Sequence, residues 1–150
     1  MKTRSYSTYV LALVGGLFAI SLALKPYCAG DDCSSMGPGI MVLLLGWLGV
    51  LVGGAGLAWL GNPFLILSWF LFRAKKTGLA LVSACIAVGF AASFWFQDEI
   101  MVNEAGHYKD ITVYASGYWF WLSSCMVMVL GILGSFFAKA SIPERESGIS

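Results

Sequence analysis

The chain alternates between long uncharged apolar runs and short segments that hold almost all of its charge. The longest apolar run covers residues 39–72, and three others cover residues 9–24, 78–96 and 117–138. A bilayer core is crossed by about 20 consecutive helical residues. The pattern therefore predicts an all-α membrane protein, a four-transmembrane-helix bundle that forms one multi-pass domain over residues 1–150.

The run over residues 39–72 is longer than one simple span requires. Several glycines and the Asn62-Pro63 step interrupt it, and a proline removes one backbone donor from a helix. We expect residues 52–72 to form the second span, with a helix break at Asn62 and Pro63. Residues 39–51 would then lie at the outer interface or enter the membrane as a half-helix. One long, kinked and tilted helix is the alternative.

The first apolar run allows two interpretations. A basic head with Lys2 and Arg4 followed by an apolar stretch is also the pattern of a cleavable signal peptide. Residues 9–24 are at the long end for such a peptide, and Lys-Pro-Tyr rather than a lipobox precedes Cys28. We therefore expect this run to be retained as the first span.

Basic residues indicate how the spans are oriented. If the N-terminus is cytoplasmic, the outer loops hold only Lys25 and Lys109. The inner segments then hold seven basic residues: Lys2, Arg4, Arg73, Lys75, Lys76, Lys139 and Arg145. This excess follows the positive-inside rule, and the cluster at Arg73, Lys75 and Lys76 is its densest part. Both termini are therefore predicted to be cytoplasmic.

Two of the four cysteines, Cys28 and Cys33, lie in the first outer loop. In an oxidising compartment we expect them to form a structural disulfide. A redox-active pair is the alternative, but the further outer cysteines of a thiol relay are missing. Cys85 and Cys125 fall within spans, where a thiol usually serves as a small apolar side chain.

Small residues recur at helical spacing within the apolar runs. They are Gly15, Ala19 and Ala23; Gly49 and Gly53; Ser83, Ala87 and Ala91; and Gly131 and Ser135. Such faces let helices approach closely in lipid. Packing inside the bundle explains most of them. Four spans need fewer such faces, so one is a candidate for contact with another membrane protein or with a second copy of the chain.

No Asp, Glu, Lys, Arg or His lies inside any expected span. Ion-coupled transporters, proton pumps and voltage sensors depend on such groups. The single histidine, His107, has no second His or Cys at ligand spacing, so no metal site is expected. No cofactor and no catalytic residue are predicted either. The net charge of +1 gives no indication of nucleic-acid binding.

Three functions are compatible with this pattern. The first is a non-enzymatic integral membrane protein that acts as an accessory, scaffold or immunity-type partner of another membrane protein. The second is a small channel or transporter, suggested by the interrupted second span. The third is a membrane thiol oxidoreductase that uses Cys28 and Cys33. The bilayer is the one partner common to all three.

The segments GWLG, AWLGNP and GYWFWLSS, with cysteines before the first of them, also carry a resemblance. They resemble a group of small uncharacterised bacterial inner-membrane proteins, over most of the chain from Cys28 to Gly134. The resemblance implies a four-helix architecture in the bacterial inner (plasma) membrane. It implies no activity.

Overall fold

A computed structural model describes residues 2–30, 33, 37–101 and 107–140 of the chain. Six α-helices form most of the described part, together with two 3-10 segments and three short strands. The elements, in chain order, are α1 (Lys2–Ala23), β1 (Tyr27–Ala29), α2 (Gly39–Leu45), α3 (Trp47–Val52), a 3-10 segment (Gly54–Leu60), α4 (Gly61–Arg73), α5 (Thr77–Ser93), a 3-10 turn (Phe94–Phe96), β2 (Glu99–Met101), β3 (Tyr108–Tyr114) and α6 (Ser116–Ala140).

Four stretches of the described chain are long and apolar enough to cross a membrane. They are Tyr6–Ala23, Gly54–Arg73, Thr77–Phe96 and Ser116–Phe137. Each lies close to a run expected from the sequence. Residues 39–52 are not part of any of them and form the separate helices α2 and α3.

Helix α5 packs against α4 and α6, and α6 packs in turn against α1. Four alanines of α5 are completely buried in these contacts: Ala80, Ala84, Ala87 and Ala91. Large apolar side chains such as Phe70 and Phe137 point outward instead. This arrangement is the reverse of that in a water-soluble bundle, whose large apolar side chains form the core.

The buried serines satisfy their hydroxyls without water. Ser21, Ser68 and Ser124 each donate to the carbonyl oxygen three residues earlier in their own helix. Ser83 instead donates across the bundle, from α5 to the Phe64 carbonyl oxygen of α4, at 2.7 Å. The interior therefore holds polar atoms with internal partners, as burial requires.

Helices α2 and α3 form an arm (residues 39–52) that folds back on the 3-10 segment. The chain reverses at Gly53 and Gly54, whose φ angles of 86° and 56° are readily adopted only by glycine. Beyond the reversal, Gly56 lies so close to Gly49 that a Cβ on Gly56 would overlap the Gly49 carbonyl group. The glycines expected to interrupt this run therefore make a tight reversal and a close backbone contact.

The break expected at Asn62 and Pro63 takes a different form. These residues lie midway along the stretch Gly54–Arg73, where the 3-10 segment changes into α4, and the backbone at Leu60 remains helical. Pro63 falls in the first turn of α4, where helices tolerate a missing N–H. The chain thus changes helix type at Asn62 and Pro63 and reverses direction earlier, at Gly53 and Gly54.

A three-stranded antiparallel sheet corrects the all-α prediction. Its strand order is β1-β3-β2, so β3 pairs with both other strands. The segment Tyr108–Tyr114 is rich in β-branched and aromatic residues, a composition typical of strands. Because this segment contains the charged residues Lys109 and Asp110, the sequence pattern indicated an outer loop here rather than a strand. The sheet covers one end of the bundle, called here the sheet end.

The opposite end of the bundle carries Arg73, Lys75 and Lys76, all exposed, and is called here the basic end. The Lys76 N–H donates to the Leu71 carbonyl oxygen at 2.9 Å, and the Lys75 N–H donates to that of Phe72 at 3.1 Å. These two bonds form a Schellman motif that ends α4. Lys75 occupies its left-handed position, with a φ of 60°, where glycine is usual.

Candidate functional site

A cavity of about 1010 Å³ lies at the sheet end, between the arm and the rest of the molecule. Its walls come from the end of α1, the arm, the 3-10 segment, β2 and the first turns of α6. Small-molecule sites in proteins occupy roughly 300–1,000 Å³. The cavity is therefore as large as the largest sites of this kind, and most of its lining side chains are apolar.

The arm forms an apolar wall with two sides. Leu45 lines the cavity, whereas the adjacent Leu44 does not, although both side chains are 59% exposed. Leu48 and Val52 continue the cavity side along α3. The arm therefore separates the cavity from the surroundings with large apolar side chains on both faces.

Few polar contacts hold the arm in place. At its start, the Gly39 N–H donates to the Leu24 carbonyl oxygen at the end of α1, at 2.8 Å. Further along, the Trp59 indole N–H donates to the Leu43 carbonyl oxygen at 2.9 Å. The Trp59 ring also lies against Gly46, where a Cβ would overlap it. Trp59 thus anchors the arm to the 3-10 segment.

An aromatic cluster fixes the sheet to the bundle beside the cavity. The Phe94 ring lies 5.4 Å from Tyr27, 5.7 Å from Tyr114 and 5.5 Å from Tyr118, measured between centroids. Tyr118 donates its hydroxyl to the Ala91 carbonyl oxygen at 3.2 Å. These distances are typical of favourable aromatic pairs. The aromatic residues at the ends of α5 and α6 therefore form a packed layer, and some of them also line the cavity.

The hydroxyl of Tyr114 joins β3 to the 3-10 turn. It donates to the Gln97 carbonyl oxygen at 2.9 Å and lies 3.2 Å from that of Trp95. Burial, and secondly the nearby Asp98 carboxylate, raise the pKa of Tyr114 above its usual value of 10.0. Burial also raises the pKa of Tyr27. Both phenols therefore stay protonated, and remain hydrogen-bond donors, at neutral pH.

Two polar side chains lie in the apolar part of the cavity wall. Asn62 donates its side-chain amide to the Trp59 carbonyl oxygen at 3.0 Å. The buried indole N–H of Trp121 has no hydrogen-bond partner among the described residues. Both belong to the cavity lining. The wall is therefore not uniformly apolar, and Trp121 retains one unused donor.

Glu99 is the acidic residue at the cavity mouth. It pairs in register with Asp110 of β3, and like charges directly opposite each other on neighbouring strands are unfavourable. Lys25 donates to the Cys33 carbonyl oxygen at 2.8 Å, and the Lys109 side chain lies beside Gly30. Neither lysine forms an ion pair with Glu99 in the described part of the chain. The mouth therefore carries an excess of negative charge.

The expected disulfide between Cys28 and Cys33 is confirmed. Cys28 is buried in β1, and the two Cα atoms are 4.9 Å apart. Thr112 of β3 donates its hydroxyl to the Gly30 carbonyl oxygen at 3.1 Å, next to the bridge. The disulfide thus closes the segment that follows β1 and supports the sheet. Cys85 and Cys125 are free thiols, the first exposed and the second buried.

Three of the four small-residue faces pack inside the molecule. Ser83, Ala87 and Ala91 are buried in the α5 contacts. Gly131 lies against Val10 of α1, and the Tyr6 hydroxyl donates to the Gly131 carbonyl oxygen at 3.1 Å. Ser135 bonds to the Ile132 carbonyl oxygen of its own helix. Gly49 contacts Gly56, and Gly53 makes the reversal before the 3-10 segment.

The remaining face, on α1, has no neighbour within the described chain. A Cβ on Gly15 or Gly16 would meet no atom within 4 Å. The exposed small residues of this helix lie on one side, and we call them the α1 face: Ala12, Gly16, Ala19 and Ala23. The sequence pointed to Gly15, Ala19 and Ala23 instead, but Gly15 is half-buried. Helix α1 is apolar all round, so its sequence does not show which side faces out.

The described residues include no group of three or more His, Cys, Asp or Glu side chains that could hold a metal ion. No protein-family model, curated protein or solved structure matches the chain. The cavity, the α1 face and the charge distribution are the features of this molecule that indicate its function.

Proposed function

We propose that this chain is a non-enzymatic integral protein of the bacterial inner (plasma) membrane that serves as an accessory partner of another membrane protein. The observation that carries the proposal is the α1 face. Its small residues recur at every turn on the exposed side of the helix, with open space around Gly16. Each of the other small-residue faces has at least one member that packs within the described chain, although Gly53 also lies in open space.

A transmembrane helix of a second protein is the occupant that fits this face. In lipid, helices associate mainly by close packing, and small residues allow their backbones to approach. Ala12 and Ala23 are separated by about 16 Å along an α-helix, which is roughly half the thickness of a bilayer core. The face is thus long enough to guide one crossing helix.

We further propose that both termini are cytoplasmic and that the sheet end faces outward. The seven-to-two distribution of basic residues supports this orientation, and Arg73, Lys75 and Lys76 lie together at the basic end. The disulfide of Cys28 and Cys33 would then face the oxidising side, where such bridges persist. The free thiols lie on α5 and α6, where they offer no outer relay to this bridge.

The test compares two matched glycine variants. Gly16→Leu places a large side chain on the α1 face, and Gly89→Leu does the same at an exposed α5 position with nothing within 4 Å. The protein is isolated from its own membrane in lipid nanodiscs, and its mass is measured under native conditions. We expect a complex heavier than the 16.1 kDa chain that contains a second membrane protein.

Gly16→Leu should reduce the fraction of chains in this complex at least about tenfold, as expected for loss of about 1.4 kcal/mol of binding free energy. Gly89→Leu should leave it unchanged. If the wild-type chain and both variants are all monomeric, the proposal is contradicted. A complex whose mass is a whole multiple of the chain's own mass would replace the accessory role with self-association.

A further inference from the structure

We propose that the cavity beneath the arm is a binding site for one membrane lipid whose headgroup carries an ammonium group, an aminophospholipid. The proposal goes beyond the accessory role. It rests on the proposed bilayer placement and is independent of the α1 face. The cavity, the arm and the charge at the mouth each contribute one part of the argument.

The size and chemistry of the cavity favour a lipid chain. Its walls include Leu45, Leu48 and Val52 of the arm and Phe94 of the bundle. Mostly apolar walls around about 1010 Å³ offer dispersion contacts to an apolar chain. Water gains little there, because it needs several polar partners. An acyl chain supplies these contacts without the loss of hydrogen bonds that water would suffer.

The position of the arm allows a lipid acyl chain to enter the cavity. Both faces of the arm carry exposed apolar side chains, shown by the equal exposure of Leu44 outside and Leu45 inside the cavity. In a bilayer, the outer face would contact lipid tails of the outer leaflet. A neighbouring tail can extend into the cavity behind it while its headgroup stays at the sheet end.

The charge at the mouth selects the headgroup. Glu99 lines the cavity, and it pairs in register with Asp110 of the neighbouring strand. Two carboxylates therefore lie at directly opposite positions of β2 and β3. The unmatched charge favours a cation, and an anionic headgroup would be repelled. Neither lysine at this end lines the cavity: Lys25 donates to the Cys33 carbonyl oxygen, and the Lys109 side chain lies beside Gly30.

Aromatic rings near the mouth strengthen the same preference. Tyr27 and Tyr108 belong to the cavity lining along with Glu99. An ammonium group near the face of a tyrosine ring is attracted by the negative face of the ring. A carboxylate together with aromatic rings therefore suits the ammonium of an aminophospholipid better than the hydroxyls of an anionic lipid.

The experiment uses the full chain in nanodiscs made from phosphatidylethanolamine or phosphatidylglycerol with identical acyl chains. After gentle release, native mass measurement counts the lipid molecules that stay bound. We expect one tightly held phosphatidylethanolamine, and about tenfold weaker retention of phosphatidylglycerol. Glu99→Gln should lower the affinity for phosphatidylethanolamine by about tenfold, the effect of losing one charge-assisted hydrogen bond.

Two matched controls separate the site from general effects. Asp110→Asn removes the same charge from the facing strand, but Asp110 does not line the cavity, so the loss should be smaller. Leu45→Trp fills the cavity and should reduce binding of either lipid. Leu44→Trp adds the same ring outside the cavity, at equal exposure, and should have no effect.

Equal retention of the two lipids, or equal effects of Leu45→Trp and Leu44→Trp, would overturn the proposal. So would an Asp110→Asn effect as large as that of Glu99→Gln. Flotation of the protein with vesicles tests the bilayer placement separately. Gly16→Leu should reduce the partner complex without changing lipid retention, so the lipid site and the accessory role can fail independently.

Discussion

Asn62 donates its side-chain amide to the Trp59 carbonyl oxygen at 3.0 Å. In an uninterrupted α-helix this oxygen would accept the backbone N–H of residue 63, which proline lacks. The asparagine side chain thus supplies a donor in place of the one that Pro63 lacks. The pair lies where the 3-10 segment changes into α4.

The first prediction concerns this pair. Asn62→Leu should destabilise the protein by about 0.5–1.5 kcal/mol despite its greater hydrophobicity, because the half-buried Trp59 oxygen loses its side-chain donor and retains the Gly61 N–H. Pro63→Ala should be mild, because alanine restores a backbone N–H at the same carbonyl. The Asn62→Leu/Pro63→Ala double variant should therefore recover most of the loss. Unfolding in mixed micelles measures all three variants, and a double variant no better than Asn62→Leu would exclude this account.

The second prediction concerns the contact between α1 and α6. A Cβ on Gly131 would overlap the Val10 side chain, and this β-branched residue has few rotamers with which to move away. Gly131→Ala should therefore destabilise the protein by about 1–3 kcal/mol. Adding Val10→Ala should restore stability. Gly89→Ala, in open space, is the control and should be neutral or slightly stabilising.

The third prediction concerns the thiols. Cys28 and Cys33 should resist alkylation in native membranes until a reductant is added, whereas Cys85 and Cys125 should be found as thiols after denaturation. Replacing both bridged cysteines by serine should destabilise the sheet end by up to about 2–3 kcal/mol. Ready labelling of Cys28 and Cys33 without reductant would remove the bridge from the structural account.

The fourth prediction concerns alkaline pH. The pKa of Tyr114 is raised in the folded state, so its protonated form stabilises the fold fully below pH 10.0. This contribution is lost as the pH rises through the higher, folded-state pKa. From about pH 8 to about pH 11, wild-type stability should fall more steeply than that of Tyr114→Phe. Tyr9→Phe, at an exposed position, is the control and should retain the wild-type slope.

The fifth prediction concerns orientation. A reporter fused after Ser150 should be active only if it functions in the cytoplasm. Reversing the charges of Arg73, Lys75 and Lys76 should produce a mixed orientation, because these residues form the densest basic cluster. Reversing Lys25 and Lys109 is the control, since it increases the asymmetry and should leave the orientation unchanged. Periplasmic activity of the wild-type fusion would reverse the proposed topology.

The positions of the long helices were accessible from the sequence because the length and hydrophobicity of a run depend only on its own residues. The sheet was not, because Tyr27–Ala29 and Glu99–Met101 become strands only through their pairing with Tyr108–Tyr114. Two of these strands have three residues each, too few to show an alternating pattern. Short strands depend on tertiary context more than on their own composition.

The cavity was inaccessible for a related reason. Its walls join the arm, Glu99 and Trp121, which are far apart in sequence and meet only after the chain reverses at Gly53 and Gly54. The glycines showed that the run over residues 39–72 was interrupted. They did not show that residues 39–52 would fold back and leave a space behind them. The tight contact of Gly49 with Gly56 determines that geometry.

The alanine-rich core of α5 has a consequence for how this protein can vary. At Ala80, Ala84, Ala87 and Ala91 no larger side chain fits without separating the helices. Outward-facing residues such as Phe70 and Leu130 can be exchanged for other large apolar residues. In a scan of all substitutions, the smallest side chains should therefore be the least replaceable. The large outward-facing side chains should tolerate substitution, provided that the replacement is also apolar.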